Sequence, residues 1–569
     1  MSGTSYRFGP FRFDAKGRVL MRGDLDLGLP PKAADTLLLL LKHAGEVVDK
    51  GALLDSVWGD VVVGEGSLTR TISILRKALG GNDASHAYIA TLSKRGYRFV
   101  APVDDDAPPT DQGRAMLAVL PFENLSAKRR HDYWSDGLTE EMIAQLSRTN
   151  PERLGVIART SSMTFKGTRK RVGEIGRELR VHYLLLGSVR RGRGRVRIAA
   201  QLIKTSDETQ VWAEQYERKA GDVLRLQREV AEAIAREIQV KLQPRRPVET
   251  GKVPAPAYEA FLKGRHLLNR RTEAGMRDSI ALFETALRHF PGYAPAYAGI
   301  ADANVMLACR GMVPAKETFR RARTAACKAL ELDAELGDAH GSLAHVRLHD
   351  WDWEDLDRDF QRATELNPSL AIVHYWRAEY LMSQGRRDEA IAATETAIRL
   401  DPLSAVVQSG RAMILYLARR YEQAAALVVR ALEADPDHFL LHLRLGLIRV
   451  QQKMYDDALD EIRTAIRLSD KSTETLAALG VVHAARGDER STRRVLAELD
   501  KRKPRQYVLP YNVARIHAAA QDRDRAFASL ETAYEGGNPD LIELNSEPVF
   551  DTIRSDPRFE RLMRRIGWE

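Results

Sequence analysis

The sequence predicts a multidomain chain: a basic α+β domain, then a small α/β domain, then an all-α solenoid of paired helices. Three observations carry this expectation. An amphipathic stretch from Ser67 to Leu79 is followed by an aromatic, basic hairpin that ends at Phe99. Between Met116 and Tyr216, strand-like and helix-like stretches alternate. Beyond residue 257, marks recur every 34 residues, at Ala334, Pro368, Pro402, Pro436, Asp470 and Pro504. At 569 residues the chain is too long for one hydrophobic core.

In the first domain, Leu68, Ile72, Leu75 and Leu79 share one helical face and require a core. Ser67, Arg70, Thr71, Ile74 and Lys77 are assigned to the other face, free to touch something outside. A helix in the DNA major groove needs this division, one side anchored and the other small, polar or basic. In the hairpin, Ile89 and Thr91 lead in, Gly96 marks the turn, and Tyr97 and Phe99 alternate with Arg98. From Gly66 to Val100 the basic residues are Arg70, Arg76, Lys77, Lys94, Arg95 and Arg98, against the single acid Asp83. Such a surplus suits a phosphate-binding face.

These residues resemble the winged helix-turn-helix of the OmpR/PhoB type. The match spans residues 6–101 and includes the strands of Tyr6–Asp14, a first helix from Lys32 to His43 and a second ending at Leu53–Trp58. The resemblance implies a recognition helix at Ser67–Leu79 and a wing at Ser93–Gly96. By position, Arg70, Thr71 and Ile74 then face the bases, and Arg76 and Thr91 sit near phosphates. Lys94 or Arg95 reaches the minor groove, and Ser67, Lys77 and Arg98 complete the DNA-binding set. Ile74 stands where the family often has arginine, so base preference does not transfer. The implied partner is double-stranded DNA. The loop Gly59–Gly66 lies where this fold often meets RNA polymerase.

The acidic, prolyl stretch Asp104–Gly113 reads as a linker after a domain of residues 1–103. Strands are then expected at Met116–Phe122, Leu154–Ala158, Tyr183–Val189, Arg195–Ile203 and Gln210–Tyr216, and helices at Asp136–Ser147 and Gly173–Leu179. Residues 221–256 read as a helix, Asp222–Leu242, and a prolyl linker. Ala118–Leu125, Trp134–Glu140, Gly187–Arg190 and Trp212–Tyr216 resemble the TolB-amino-terminal-like domain over residues 114–220, which implies a fold and no chemistry. The basic run Arg190, Arg191, Arg193, Arg195 and Arg197, with Lys166, Arg169, Lys170 and Arg171, reads as a solvated turn. Its alternative is a second DNA-backbone contact or an anion site.

In residues 257–569, Ala329, Ala363, Ala397, Ala431 and Ala465 keep the 34-residue period. Ala344, Ala378, Ala412, Gly446, Gly480 and Ala514 keep it on the preceding helix. Small residues let helices approach closely, and proline stops the second helix of each pair. The unit resembles the tetratricopeptide repeat. Earlier units run from Tyr258 and from Pro291, and a weaker last one ends near Pro539 with a cap to Glu569. Such a solenoid implies an open concave face for a protein or peptide ligand or a second copy of the chain.

A net charge of +9 fits a polyanion partner. The cysteines are Cys309 and Cys327, with no disulfide framework. The amino terminus has no apolar leader, and runs such as Leu37–Leu41 are far short of the roughly 18 residues a membrane helix needs. A cytoplasmic protein without a membrane partner is expected. There is no phosphate loop and no nucleophile elbow. His345 and His349, with His340 and Asp350 nearby, read as groove or surface residues of a repeat rather than a metal site. No catalytic residue, metal or cofactor is assigned. The domain order resembles the HilA-like activators, which implies a transcription activator and not an enzyme. The alternatives are a scaffold that has lost DNA affinity and a cyclase-related signalling protein without its catalytic domain.

Overall fold

Alternating aromatics build the first sheet. β1 (Ser5–Phe8), β2 (Phe11–Asp14), β3 (Val19–Arg22) and β4 (Leu25–Asp26) are antiparallel neighbours. They turn Phe8, Phe11, Phe13 and Leu20 into the core. The computed structural model describes residues 5–8, 10–15, 17–22, 25–45, 47–59, 65–79, 88–92, 96–101, 104–105, 114–126, 132–150, 153–192, 195–219, 223–238, 253–469 and 471–568. They divide into two compact units, one of residues 1–113 with 180–182 and the other of 114–179 with 183–569.

In the first unit, α1 (Pro31–Lys42) starts at a proline, which needs no hydrogen-bond partner there, and buries Ala33, Ala34, Leu37, Leu38, Leu40 and Leu41. β5 (Val48–Asp49) leads into α2 (Lys50–Trp58), capped by the Asp49 carboxylate, which accepts from Gly51 N at 2.7 Å. α3 (Glu65–Ala78) follows, then β6 (Ile89–Leu92) and β7 (Gly96–Phe99). These strands form a three-stranded sheet in the order β5-β7-β6. Gly96 is required in it. Its φ is +148°, and a Cβ there would lie 2.0 Å from the Val48 carbonyl oxygen. Phe8 and Phe99 meet edge to face at 5.0 Å and Phe11 and Tyr88 at 5.5 Å, which ties the first sheet to the hairpin.

The expected linker is shortened by one strand. β8 (Asp104–Asp105) pairs antiparallel with Arg7 and Tyr6 of β1, so the first sheet runs β4-β3-β2-β1-β8. The domain therefore continues past residue 103, because the edge of β1 still offers unpaired backbone groups.

The second unit opens with an α/β layer. It comprises β9 (Ala115–Val119), β10 (Glu123–Asn124), α4 (Asp132–Thr149), β11 (Leu154–Val156), α5 (Arg159–Met163), α6 (Val172–Leu179), β12 (Tyr183–Gly192), β13 (Arg195–Lys204), β14 (Gln210–Lys219) and α7 (Val223–Glu237). The sheet order is β11-β9-β12-β13-β14, with β10 beside β12. β9, β11 and β12 are parallel, and β13 and β14 add antiparallel strands at the other side. α7, which the sequence reading placed as a helix outside this domain, belongs to this layer. Its Val230, Ala231 and Ile234 pack in one core with Trp134, Leu138 and Trp212. Of the basic run, Arg195 and Arg197 pair with Glu217 at 2.8 and 2.9 Å, and Lys170 pairs with Glu178 at 2.6 Å. Arg193 lies outside the described residues.

Helical hairpins follow: α8 (Ala255–Leu268) with α9 (Glu273–His289), α10 (Ala294–Cys309) with α11 (Ala315–Leu332), α12 (Gly337–His349) with α13 (Leu356–Leu366), and α14 (Ala371–Ser383) with α15 (Arg387–Leu400). Then come α16 (Ala405–Leu417) with α17 (Tyr421–Ala434), α18 (Phe439–Gln451) with α19 (Tyr455–Leu468), α20 (Thr473–Arg486) with α21 (Glu489–Arg502), and α22 (Pro510–Ala519) with α23 (Arg523–Glu535). The in-phase alanines Ala344, Ala363, Ala378, Ala397, Ala412 and Ala465 are fully buried where helices cross. Asp333, Asn367, Asp401 and Asp435 end successive second helices.

The α/β layer and the solenoid are locked together. Arg265 and Asn269 of α8 donate to Glu140 of α4, which Arg159 also pairs at 3.3 Å. Ser161 donates to Asp401 from its hydroxyl (2.6 Å) and its backbone (2.9 Å), and Ala158 N donates to Leu400 O at 2.7 Å.

The concave face is not open along its length, contrary to the sequence reading. After α23, 3-10 turns at Pro539–Glu543 and Pro548–Ile553 and a last helix α24 (Pro557–Ile566) return to the middle repeats. The Tyr416 hydroxyl donates to Glu547 at 2.7 Å, Arg515 pairs with Glu547 at 3.3 Å, and Arg419 pairs with Asp551 at 2.9 Å. Trp351 stacks on Tyr534 at 4.9 Å, and Trp353 donates to the Ile566 carbonyl at 2.9 Å. The tryptophans are packing residues that close the superhelix.

Candidate nucleic-acid interface

α3 divides as an interface helix must. Leu68, Ile72 and Leu75, with Leu79 just beyond, are at most 3% exposed. Ser67, Thr69, Arg70, Ser73 and Lys77 are exposed. Among the described residues, no carboxylate pairs with Arg70 or Lys77. Ile74 is half-buried and packs on the core edge.

Thr71 departs from the sequence reading. It is buried, and its hydroxyl donates to the Ser67 carbonyl at 2.9 Å. At about 100° per residue it lies only about 70° from the centre of the leucine stripe, on the flank of the core. Ser73, which that reading left out, lies on the opposite face. The helical projection carries this signal, since Arg70, Ser73 and Lys77 form an i, i+3, i+7 stripe.

Arg76 faces inward across the hairpin. Its guanidinium donates to the Ile89 carbonyl from Nε (3.2 Å) and Nη2 (2.8 Å), and to Thr91 Oγ1 at 2.7 Å. It pins the helix to β6, leaving Thr91 exposed beside it. Arg98 is half-buried in β7, opposite Ala90. Ser93, Lys94 and Arg95 of the wing, and residues 60–64 of the loop after α2, lie outside the described residues.

The family model described as "Transcriptional regulatory protein, C terminal" matches residues 24–99, the segment holding this helix and hairpin. The model described as "HilA/YgeH-like transcriptional regulator, second domain" matches 113–233 and so takes in α7. Tetratricopeptide-repeat models match 371–404 and 410–473. The chain is a transcriptional regulator of HilA-like organisation. Transcriptional regulator HilA of Salmonella typhimurium is 27% identical over 396 residues, 69% of each chain. Transcriptional activator CadC of Escherichia coli is 41% identical over 85 residues, 15% of this chain and 17% of CadC. The solved DNA-binding domain of CadC is 35% identical and covers 18% of this chain and 99% of that one, with a TM-score of 0.17. Adenylate cyclase 3 of Rhizobium meliloti, a provisional designation, is 33% identical over 245 residues, 42% of this chain and 41% of that protein. Among the described residues, no helix of this regulator is long and apolar enough to cross a membrane.

The solenoid of the regulator encloses a cavity of about 340 Å³ between its concave face and the returning carboxy-terminal segment. His345 and His349 of α12, Glu379 of α14, Arg444 of α18, and Asp540 and Glu543 line it. Burial holds both histidines down to a pKa of about 3, so they are neutral. Burial also raises Glu379 and pushes Asp540 up to about 7, with Glu474 adding repulsion. The structure brings Cys309 to the two histidines, which the sequence spacing did not suggest. His340 and Asp350 point elsewhere, His340 to the Ala334 carbonyl and Asp350 to Arg323.

Proposed function

We propose that this regulator seats α3 in the DNA major groove, with Arg70, Ser73, Lys77, Ser67 and the edge of Ile74 toward the bases. Thr91 and the hairpin lie along the phosphates, with Arg98 near them, and Lys94 or Arg95 enters the minor groove. Arg76 acts chiefly by fixing helix to hairpin, so that base and phosphate contacts keep one register. The stripe Arg70–Ser73–Lys77, exposed opposite the buried Leu68–Ile72–Leu75, is the observation that carries this reading. The chain acts as an activator without catalysis of its own, and the loop Gly59–Gly66 is its contact with RNA polymerase. Two copies occupy adjacent half-sites. A regulatory protein or peptide engages the repeats, competing with the segment Asn538–Ile553 for the concave face. It works in the cytoplasm, where DNA and polymerase are.

Electrophoretic mobility shifts of the full chain on promoter fragments, titrated with salt, test the reading. The expected result is a specific complex that outlasts random-sequence binding as salt rises. Identical salt-sensitive binding to every fragment refutes sequence-specific recognition.

A further inference from the structure

We infer that Cys309, His345 and His349 form a site for a divalent transition metal of the zinc class on the concave face of the solenoid. The three come from the first helices of consecutive repeats, Cys309 at the end of α10 and the histidines one turn apart on α12. Their ligand atoms all lie within 4.8 Å of one another. Cys309 Sγ is 3.6 Å from His349 Nε2, and the two Nε2 atoms are 3.1 Å apart. A tetrahedral zinc with bonds of about 2.3 Å to sulfur and 2.05 Å to nitrogen sets sulfur and nitrogen about 3.5 Å apart, and two nitrogens about 3.3 Å apart. The two observed distances are within a few tenths of an ångström of these values. The remaining pair, Cys309 and His345, lies within 4.8 Å and would close by about an ångström on binding.

The surroundings favour a ligand set over plain packing. His349 Nδ1 lies 3.1 Å from the Pro539 carbonyl, which can only accept, so Nδ1 carries the proton and the Nε2 lone pair faces the cluster. His345 is stacked on Trp376 at 4.2 Å and His349 on Phe319 at 4.9 Å, so both rings are fixed. His345 Nδ1 is buried without a hydrogen-bond partner, an orientation that spends its Nε2 on the cluster. Glu379 places a carboxylate oxygen 3.3 Å from His345 Nε2, without hydrogen-bonding geometry. That oxygen lies close enough to face a cation held by the thiolate and the imidazoles. A soft thiolate with two imidazoles selects zinc over magnesium or calcium. Cys309, His345 and His349 all line the cavity, which leaves room for a fourth, exchangeable ligand to reach them. Metal there joins neighbouring repeats to the Pro539 strap that closes the groove.

The test uses full-length protein, reduced and stripped of metal, titrated with cobalt(II) as a spectroscopic substitute for zinc. We expect one equivalent to bind, with a thiolate-to-cobalt charge-transfer band and the ligand-field bands of a four-coordinate ion, bleached by zinc. Since removing an outer-shell partner alone weakens metal sites about 10- to 100-fold, Cys309→Ser should weaken binding at least about 100-fold and abolish the charge-transfer band. His345→Gln, as a second ligand removal, should weaken it comparably with far-ultraviolet circular dichroism unchanged. Cys327→Ser, at an exposed cysteine on α11, should change neither. Zinc should raise the melting temperature of the wild type and not of the ligand variants. Absence of the charge-transfer band in the wild type, its persistence in Cys309→Ser, or its loss in Cys327→Ser overturns the assignment.

Discussion

Replacing Arg70, Thr71 and Arg76 one at a time separates three roles that lie within two turns of one helix. Arg70 is exposed, and no carboxylate among the described residues pairs with it. Arg70→Ala should leave stability within about 0.5 kcal/mol. It should remove about 1–3 kcal/mol of discrimination, a 5- to 150-fold drop in the ratio of specific to random-sequence affinity. Arg76 makes its contacts inside the protein, twice to the Ile89 carbonyl and once to Thr91. Arg76→Ala should cost about 1–3 kcal/mol of domain stability, because a charged donor leaves a half-buried carbonyl behind. Its effect on DNA should be shared by specific and random sequences. Thr71 is buried and bonded to its own helix at Ser67. Thr71→Ala trades that local bond for better helix propensity and should stay within about 1 kcal/mol in stability, with discrimination unchanged. Urea denaturation and mobility shifts at several salt concentrations on both DNA types give all these quantities. A loss of discrimination in Thr71→Ala equal to that in Arg70→Ala would refute the placement of α3.

Lys94→Ala or Arg95→Ala should each weaken specific and random DNA alike and lower the slope of log K against log salt by about one; an unchanged slope removes the wing from the phosphate contacts. A fragment of residues 1–113 should fold and melt higher than one of 1–103, which lacks β8; equal melting temperatures would show that the added strand carries no stability. Glu141 on α4 is pushed up to about 7 by burial and by the neighbouring Glu140. A raised carboxyl contributes its stability below about pH 4.5 and loses it as pH rises through 7, so Glu141→Gln should be more stable than wild type by about 2 kcal/mol above pH 8, discounted for partial exposure, with the gap closing near pH 4. A gap constant with pH would place the effect elsewhere. Glu547→Ala strips buried Arg515 of its ion-pair partner and Tyr416 of its acceptor and should destabilise the repeats by about 3 kcal/mol in denaturant melts; a neutral effect would mean that the closing contact contributes little.

Much of this architecture was legible because short-range patterns decide it. The leucine stripe of α3, the aromatic hairpin around Gly96 and the strands from β12 to β14 each follow from neighbours a few residues away. The 34-residue ladder is equally local, since each buried alanine answers to the adjoining hairpin. Thr71 was misplaced because a residue on the flank of a stripe is settled by the width of the core and not by the period. α7 was read as a helix outside the α/β domain because its partners, Trp134, Leu138 and Trp212, lie between 11 and about 100 residues away in sequence. The same holds for Cys309, which meets His349 across a full repeat plus the extension of the second hairpin.

The closing of the solenoid depends on residues that break the repeat. Trp351 and Trp353 stand where a hairpin turn normally carries small or polar residues, and they hold Tyr534 and the end of α24. Gly311 lies in the extension that lengthens the second hairpin. Its φ is +60°, and an added Cβ would meet Leu509 at 2.6 Å. Glu547 and Asp551 lie after the last hairpin, with no counterpart in earlier units, and they reach Tyr416, Arg515 and Arg419. An array held only by its neighbours would need none of these residues. Their common effect is to turn an open superhelix into an enclosure around a cavity lined by neutral histidines, acids and arginines. Closure and lining therefore belong together. The departures from the 34-residue pattern, more than the pattern itself, mark where this half of the chain closes on itself.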